Sequence, residues 1–257
     1  MVIAANRDEY FDRTAEGPAL RDLAGHAVVS PLDARAGGTW LGVNASGVFA
    51  AVTNRRTDRP DPQARSRGLL VFDALQNDSA EGAARSLETE SFSGSGYNPF
   101  NLFVADLETA FAFTLGQGED TPKGRQLAPG AHVIGNVAFS GEESPKLDAL
   151  TDRVRKAADG DASAVLDELA GLCSSHEGPS ESPLDDVCVH TEGYGTRSST
   201  LLRVARGSDG RVDWRGSELR YAESAPCDGR YEDFTALLHA LDRRAPVAEA
   251  GFTRSEH

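Results

Sequence analysis

Lysine is nearly missing from this chain: Lys123, Lys146 and Lys156 are the only three in 257 residues. Methionine occurs once, tryptophan twice and cysteine three times, at 173, 188 and 227. An odd cysteine count with no framework spacing argues against a disulfide scaffold and for reduced thiols in a cytoplasmic protein. No apolar run approaches the roughly 20 residues that span a bilayer, so membrane insertion is not expected. Met1 to Arg7 turns polar too soon for a secretory signal. No glycine loop leads into a Lys-Ser/Thr pair, which removes the Walker class of nucleotide sites. No repeat occurs at solenoid or propeller periods.

Acid is what the chain has in excess. Forty carboxylates face 26 bases, for a net charge of −14. Such a surface repels nucleic acid phosphates and anionic membranes, so no nucleic-acid partner is expected and a small-molecule substrate or ligand is. An acidic, lysine-poor surface also suits a salt-rich cytoplasm, where ions screen its self-repulsion; this predicts a halophilic source. The sequence leaves room for self-association into a homo-oligomer.

Apolar patterning divides residues 1–242 into the elements of one domain, with a frayed tail expected over 243–257. Met1 to Ala5 reads as a buried strand entering the polar turn Asn6-Arg7-Asp8-Glu9. Residues 12–37, rich in Gly, Pro, Asp and Arg, read as loop with one short strand near Val28. Thr39 to Val43 and Val48 to Thr53 flank the turn sequence Asn44-Ala45-Ser46-Gly47, a hairpin signal. Ser66 stands where a helix cap belongs, ahead of Leu69, Leu70, Phe72 and Leu75. A second helix is predicted over Ala80 to Leu87, and a hairpin over Asn101–Leu107 and Thr109–Leu115. Val133–Asn136 reads as a short strand. Pro145–Lys156 and Ala162–Leu172 have helical spacing. Val187–His190, Thr200–Ala205, Arg211–Trp214 and Glu218–Ala222 read as strands. Strands, two helices, strands, two helices, strands is an α+β order, with helices packed on antiparallel sheets.

Four polar clusters interrupt these apolar strands or open onto glycine turns: Asn6-Arg7-Asp8-Glu9, Gly37-Gly38-Thr39-Trp40-Leu41-Gly42, Thr53-Asn54 and Gly195-Thr196-Arg197-Ser198-Ser199-Thr200. Polar side chains at strand ends either form turns and surface ion pairs or face a shared mouth, where each needs a partner or a ligand. Cys173-Ser174-Ser175-His176 and Cys188-Val189-His190 lack the paired regularity of zinc modules, so neither metal nor cofactor is expected. The six histidines form no haem motif.

In their order, these clusters are similar to those of the NRDE family, named for transport and Golgi organisation protein 2. Ala5-Asn6-Arg7-Asp8-Glu9 with a following aromatic resembles the motif that gives the family its name. Gly37-Gly38-Thr39-Trp40-Leu41-Gly42, Thr53-Asn54, Ser66-Arg67-Gly68, Asn98-Pro99-Phe100-Asn101-Leu102, Gly135-Asn136 and Tyr194-Gly195-Thr196-Arg197-Ser198 resemble its later segments in order, over roughly residues 1–235. The resemblance implies an αββα sandwich of the N-terminal-nucleophile (Ntn) hydrolase type, related to penicillin V acylase and bile-salt hydrolase. It implies hydrolysis of a C–N (amide) bond by an N-terminal Cys whose own α-amino group serves as base. Arg7 and Asp8 would order that Cys and the substrate. Asn54 and Asn136 would serve the oxyanion or the substrate amide, and Arg197 would orient the pocket or bind a carboxylate. Asn6, Glu9, Trp40, Thr53 and Thr196 are the further substrate-contact candidates, with Asn6 and Glu9 equally open to structural roles. Eukaryotic relatives imply another function, non-catalytic handling of haem or lipid in trafficking.

The chain departs from the family at its start. Relatives begin Met-Cys, followed by a strand and turn before the NRDE motif, whereas Val2 supplies no nucleophile. The expectation is a true start upstream at a Cys, because Val2–Ala5 would otherwise lack a hairpin partner for its backbone. The competing expectation is a truncated or inactive protein.

Overall fold

The computed structural model describes residues 1–55, 57–89, 96–136, 145–158, 160 and 162–243. Two antiparallel sheets carry the fold. The smaller has four strands in the order β1-β9-β10-β11, with β1 at Val2–Tyr10, β9 at Tyr194–Arg206, β10 at Val212–Ala222 and β11 at Glu232–Asp233. The larger has seven strands in sequential order: β2 (Ala15–Leu23), β3 (His26–Asp33), β4 (Leu41–Asn44), β5 (Phe49–Asn54), β6 (Phe100–Ala105), β7 (Ala110–Leu115) and β8 (Lys123–Leu127). Five α-helices are described: α1 (Arg67–Leu75), α2 (Ala80–Thr89), α3 (Pro145–Ala157), α4 (Ala162–Cys173) and α5 (Thr235–Asp242).

Period-2 alternation sorts side chains into layers. On β5, Val48, just before the strand, and Ala50 pack with Leu70, Val71 and Leu75 of α1 and with Ala83, Ala84 and Leu87 of α2. Phe49 and Ala51 point the other way, into a core shared with Leu202, Val204, Trp214 and Leu219 of the smaller sheet. On β1, Ile3 and Ala5 join that same inter-sheet core, while Val2 and Ala4 pack with Val165, Leu166 and Leu169 of α4. The layers are therefore helices, seven-stranded sheet, four-stranded sheet, helices, the expected αββα sandwich. α5 closes one end of the inter-sheet core with Leu238 and Leu241.

Several sequence expectations change, each for a local reason. Residues 12–37 are mostly strand: β2 and β3 form a hairpin through Ala24-Gly25, both at positive φ (54° and 93°), a two-residue turn whose twist suits antiparallel strands. Gly17-Pro18 disguises β2; Pro18 falls at a register shift on an edge strand, where its missing N–H costs no ladder bond. Thr39 and Trp40 precede β4 rather than opening it. Val133–Asn136 is no regular strand: it has one bridge residue, Ile134, and the Thr53 and Asn101 side chains hold the Gly135 carbonyl. Val187–His190 is likewise irregular, with a single bridge from His190 to Gly195. β9 begins six residues earlier than Thr200, since its polar first half pairs with β1. Arg211–Trp214 and Glu218–Ala222 are one bulged strand, β10. β8 and α5 carry no expectation from sequence at all; β8 is an exposed polar edge. Residues 244–257 of the expected tail lie outside the described residues.

Candidate functional site: a cleft along the edge of β1

β1 pairs with β9 on one side and, among the described residues, with no strand on the other. A cleft of about 1940 Å³ runs along this open edge, lined by every residue from Met1 to Tyr10. The ladder alternation puts Arg7 on the inter-sheet wall with Ile3 and Ala5, and Asp8 on the helix wall with Ala4 and Asn6. The two residues thus flank the edge from opposite faces.

Arg7 is the unusual group. It is 8% exposed, with its guanidinium 4.5 Å from the centre of the Trp40 ring. It makes no hydrogen bond or ion pair among the described residues. The nearby carboxylates are already taken: Arg13 binds Asp33 at 2.6 Å and lies 3.6 Å from Glu9. Burial alone would raise Asp33, but Arg13 outweighs it and holds that carboxyl below its ordinary value. Burial draws the Arg7 guanidinium down, with Glu9 and Asp33 opposing from a distance and Arg13 and Arg197 reinforcing the shift. Arg67, at the start of α1, is also lowered by burial, and it donates to the Pro99 carbonyl at 2.9 Å. Three guanidiniums against two carboxylates leave one wall of the cleft positive in a chain of net charge −14. A buried cation without a counter-ion is costly unless a ligand completes it.

On the other wall, burial raises the Asp8 carboxyl, against the opposing pull of the Thr196 hydrogen bond and of Lys146. Thr196 Oγ1 donates to Asp8 at 2.6 Å and accepts from the Val189 N–H at 2.8 Å. Thr196 therefore positions Asp8 from behind and does not line the cleft. Asn6 Nδ2 donates to the carbonyls of Cys173 and Val187, both at 2.9 Å, tying the end of α4 and the following loop to β1. Its Oδ1 is buried without a hydrogen-bond partner among the described residues. Glu9 accepts from the Tyr10 N–H and faces Arg13.

Thr53 and Asn101 together hold the segment before Asn136. The Gly135 carbonyl accepts from Thr53 Oγ1 at 2.9 Å and from Asn101 Nδ2 at 3.1 Å. Asn54 and Asn136 line the cleft, and neither side-chain amide is engaged among the described residues. Arg197 stands apart. It is the extra residue of a bulge in β9, donates to the Tyr10 and Phe11 carbonyls, and does not line the cleft. Of the sequence candidates, the fold brings Arg7, Asp8, Trp40, Thr53, Asn54 and Asn136 to the cleft wall, beside Asn6 and Glu9, and leaves Thr196 and Arg197 behind it. Sequence reading missed Arg13, Asp33, Arg67 and Asn101. Arg67 and Asn101 stood in family-like segments without an assigned role, and Asn101, fully buried within an apolar strand, carried a further signal, since a buried amide needs partners. Cys173 also lines the cleft, but burial pushes its thiol up to about 11, which makes it a poor nucleophile.

An αββα sandwich of two antiparallel sheets between helix layers is the Ntn-hydrolase-like fold. Solved structures agree at the level of fold: the chain superposes on a mutant of conjugated bile acid hydrolase from Clostridium perfringens with a TM-score of 0.50. That match is 10% identical in sequence and covers 94% of this chain and 90% of the other. A second variant of the same hydrolase gives the same figures. Sequence likeness points to a different set of proteins. The chain is 30% identical over 266 residues to the human Transport and Golgi organization protein 2 homolog, covering 91% and 92% of the two chains. It is 32% identical over 241 residues to the Bos taurus homolog, covering 82% and 84%. Residues 1–215 match the family described as Transport and Golgi organisation 2. The chain belongs to that family.

Proposed function

We propose that the cleft binds a small acylated molecule carrying a carboxylate or similar anion, and that its Ntn-type frame serves hydrolysis of that molecule's C–N bond. The observation behind the binding half is Arg7: a buried guanidinium, stacked on Trp40, whose neighbouring carboxylates belong to Arg13. An anionic ligand group would supply the counter-charge. Support for the hydrolytic half is the open edge of β1 between Arg7 and Asp8, where a strand bearing the Cys expected upstream of Met1 would seat its thiol. The amides of Asn54 and Asn136, unengaged among the described residues, are available to a developing oxyanion.

The test is to express the gene product extended upstream to that Cys and assay it against a library of N-acyl amino acids. Turnover is expected, with loss of about a hundredfold or more on Cys→Ala. An extended chain with no turnover, or one indifferent to that substitution, contradicts the hydrolytic half. A second reading is a carrier for an anionic lipid or haem, favoured by one observation: the cleft, at about 1940 Å³, is larger than a small amide needs. Saturable binding without turnover would select the carrier.

A further inference from the structure

Away from the cleft mouth, four metal-ligating side chains converge from three separate stretches of chain. His176 follows α4, Cys188 and His190 lie just before β9, and Cys227 sits in the turn after β10. One candidate ligand atom from each falls within 4.8 Å of all the others. Cys188 Sγ is 3.4 Å from Cys227 Sγ and 3.6 Å from His190 Nε2, and His190 Nε2 is 3.0 Å from Cys227 Sγ. The two imidazole rings are 5.1 Å apart. All three cysteines of the chain are free thiols.

We propose that His176, Cys188, His190 and Cys227 bind a zinc ion in a Cys2His2 site. A tetrahedral zinc with Zn–S near 2.3 Å and Zn–N near 2.0–2.1 Å requires donor atoms spaced about 3.3–3.8 Å, and the observed spacings straddle that range. Two thiolates with two imidazoles suit a borderline-soft ion, and the group contains no carboxylate that would favour calcium or magnesium. Four protein ligands close the coordination sphere, so the role is structural. The site would staple the loop before β9 and the turn after β10 together. Val189, between two of the ligands, donates to Thr196, which in turn donates to Asp8. The ion would thus brace the helix wall of the cleft from behind. This departs from the expectation of no metal, which rested on ligand spacing along the chain; here the fold supplies the spacing.

The experiment is elemental analysis of the full chain, purified without a histidine tag from zinc-supplemented culture. Zinc in stoichiometric amount is expected, with visible d–d bands when cobalt replaces it. Cys227→Ser and His176→Ala, both at exposed positions, are expected to weaken zinc affinity about tenfold or more while keeping the wild-type circular dichroism. Two thiols should react with a thiol reagent only after chelation. Substoichiometric zinc, stoichiometric copper or iron in its place, or zinc retained by both variants would overturn the proposal. So would a native mass lower by two hydrogens, which would mean a Cys188–Cys227 disulfide.

Discussion

At the scale of a single residue, the proposed ligand role rests on Arg7. Its stacking on Trp40 contributes on the order of 1 kcal/mol, less than the cost of stripping water from an unpaired guanidinium. Arg7→Met, which keeps the stem over the ring, should therefore raise the thermal midpoint of the unliganded protein; a fall of several degrees would mean that Arg7 is structural. Asp8 makes a parallel prediction. Its carboxyl is raised chiefly by burial, so the folded state binds its proton more tightly than the unfolded state does. Stability contributed by this group is present at low pH and is lost as pH rises from the ordinary carboxylate range through the raised value. Asp8→Asn keeps an acceptor for Thr196 and should be more stable than wild type at neutral pH, with the advantage vanishing in acid. Melting curves across pH decide it.

The family segments divide at the scale of elements into those that line the cleft and those that pack. Gly38 and Gly68 press against each other's backbone: a Cβ on Gly38 would meet the Gly68 carbonyl carbon at 2.6 Å, and one on Gly68 would meet the Thr39 nitrogen at 2.9 Å. This contact docks α1 on the segment before β4 and so sets Trp40 and Arg67 on the cleft wall. Gly68→Ala should cost about 1–3 kcal/mol in urea unfolding, because backbone cannot step aside. Asn44 does similar work inside the β4–β5 turn, donating to the Leu75 and Asn77 carbonyls and accepting from the Val48 N–H. Asn44→Ala leaves those groups buried without partners and should cost about 2–3 kcal/mol. Elements with strong periodicity, such as α1 and the β4–β5 hairpin, were legible from sequence. β2, the first half of β9 and β8 were not, because edge strands and polar ladders lack the apolar alternation that announces a strand. The cleft was legible in part. Arg7, Asp8, Arg67 and the paired Asn residues stand in motifs, whereas Arg13 and Asp33 stand in none, and His176 and Cys227 join Cys188 and His190 only in three dimensions.

The whole molecule sets an acidic exterior against a cationic wall within. A charge of −14 repels itself, so added salt should raise the thermal midpoint until screening saturates. Equal stability in low and molar salt would remove the halophilic expectation. The same exterior would slow the approach of an anionic ligand at low ionic strength, so association should quicken as salt is added, the reverse of ordinary steering. The most direct test of the cleft is a titration of N-acyl amino acids followed by tryptophan fluorescence, since Trp40 lies beneath Arg7 while Trp214 is buried in the inter-sheet core. Saturable quenching that weakens about tenfold or more in Arg7→Met, a loss of at least about 1.4 kcal/mol, is the predicted result. Equal affinity in wild type and Arg7→Met would contradict it.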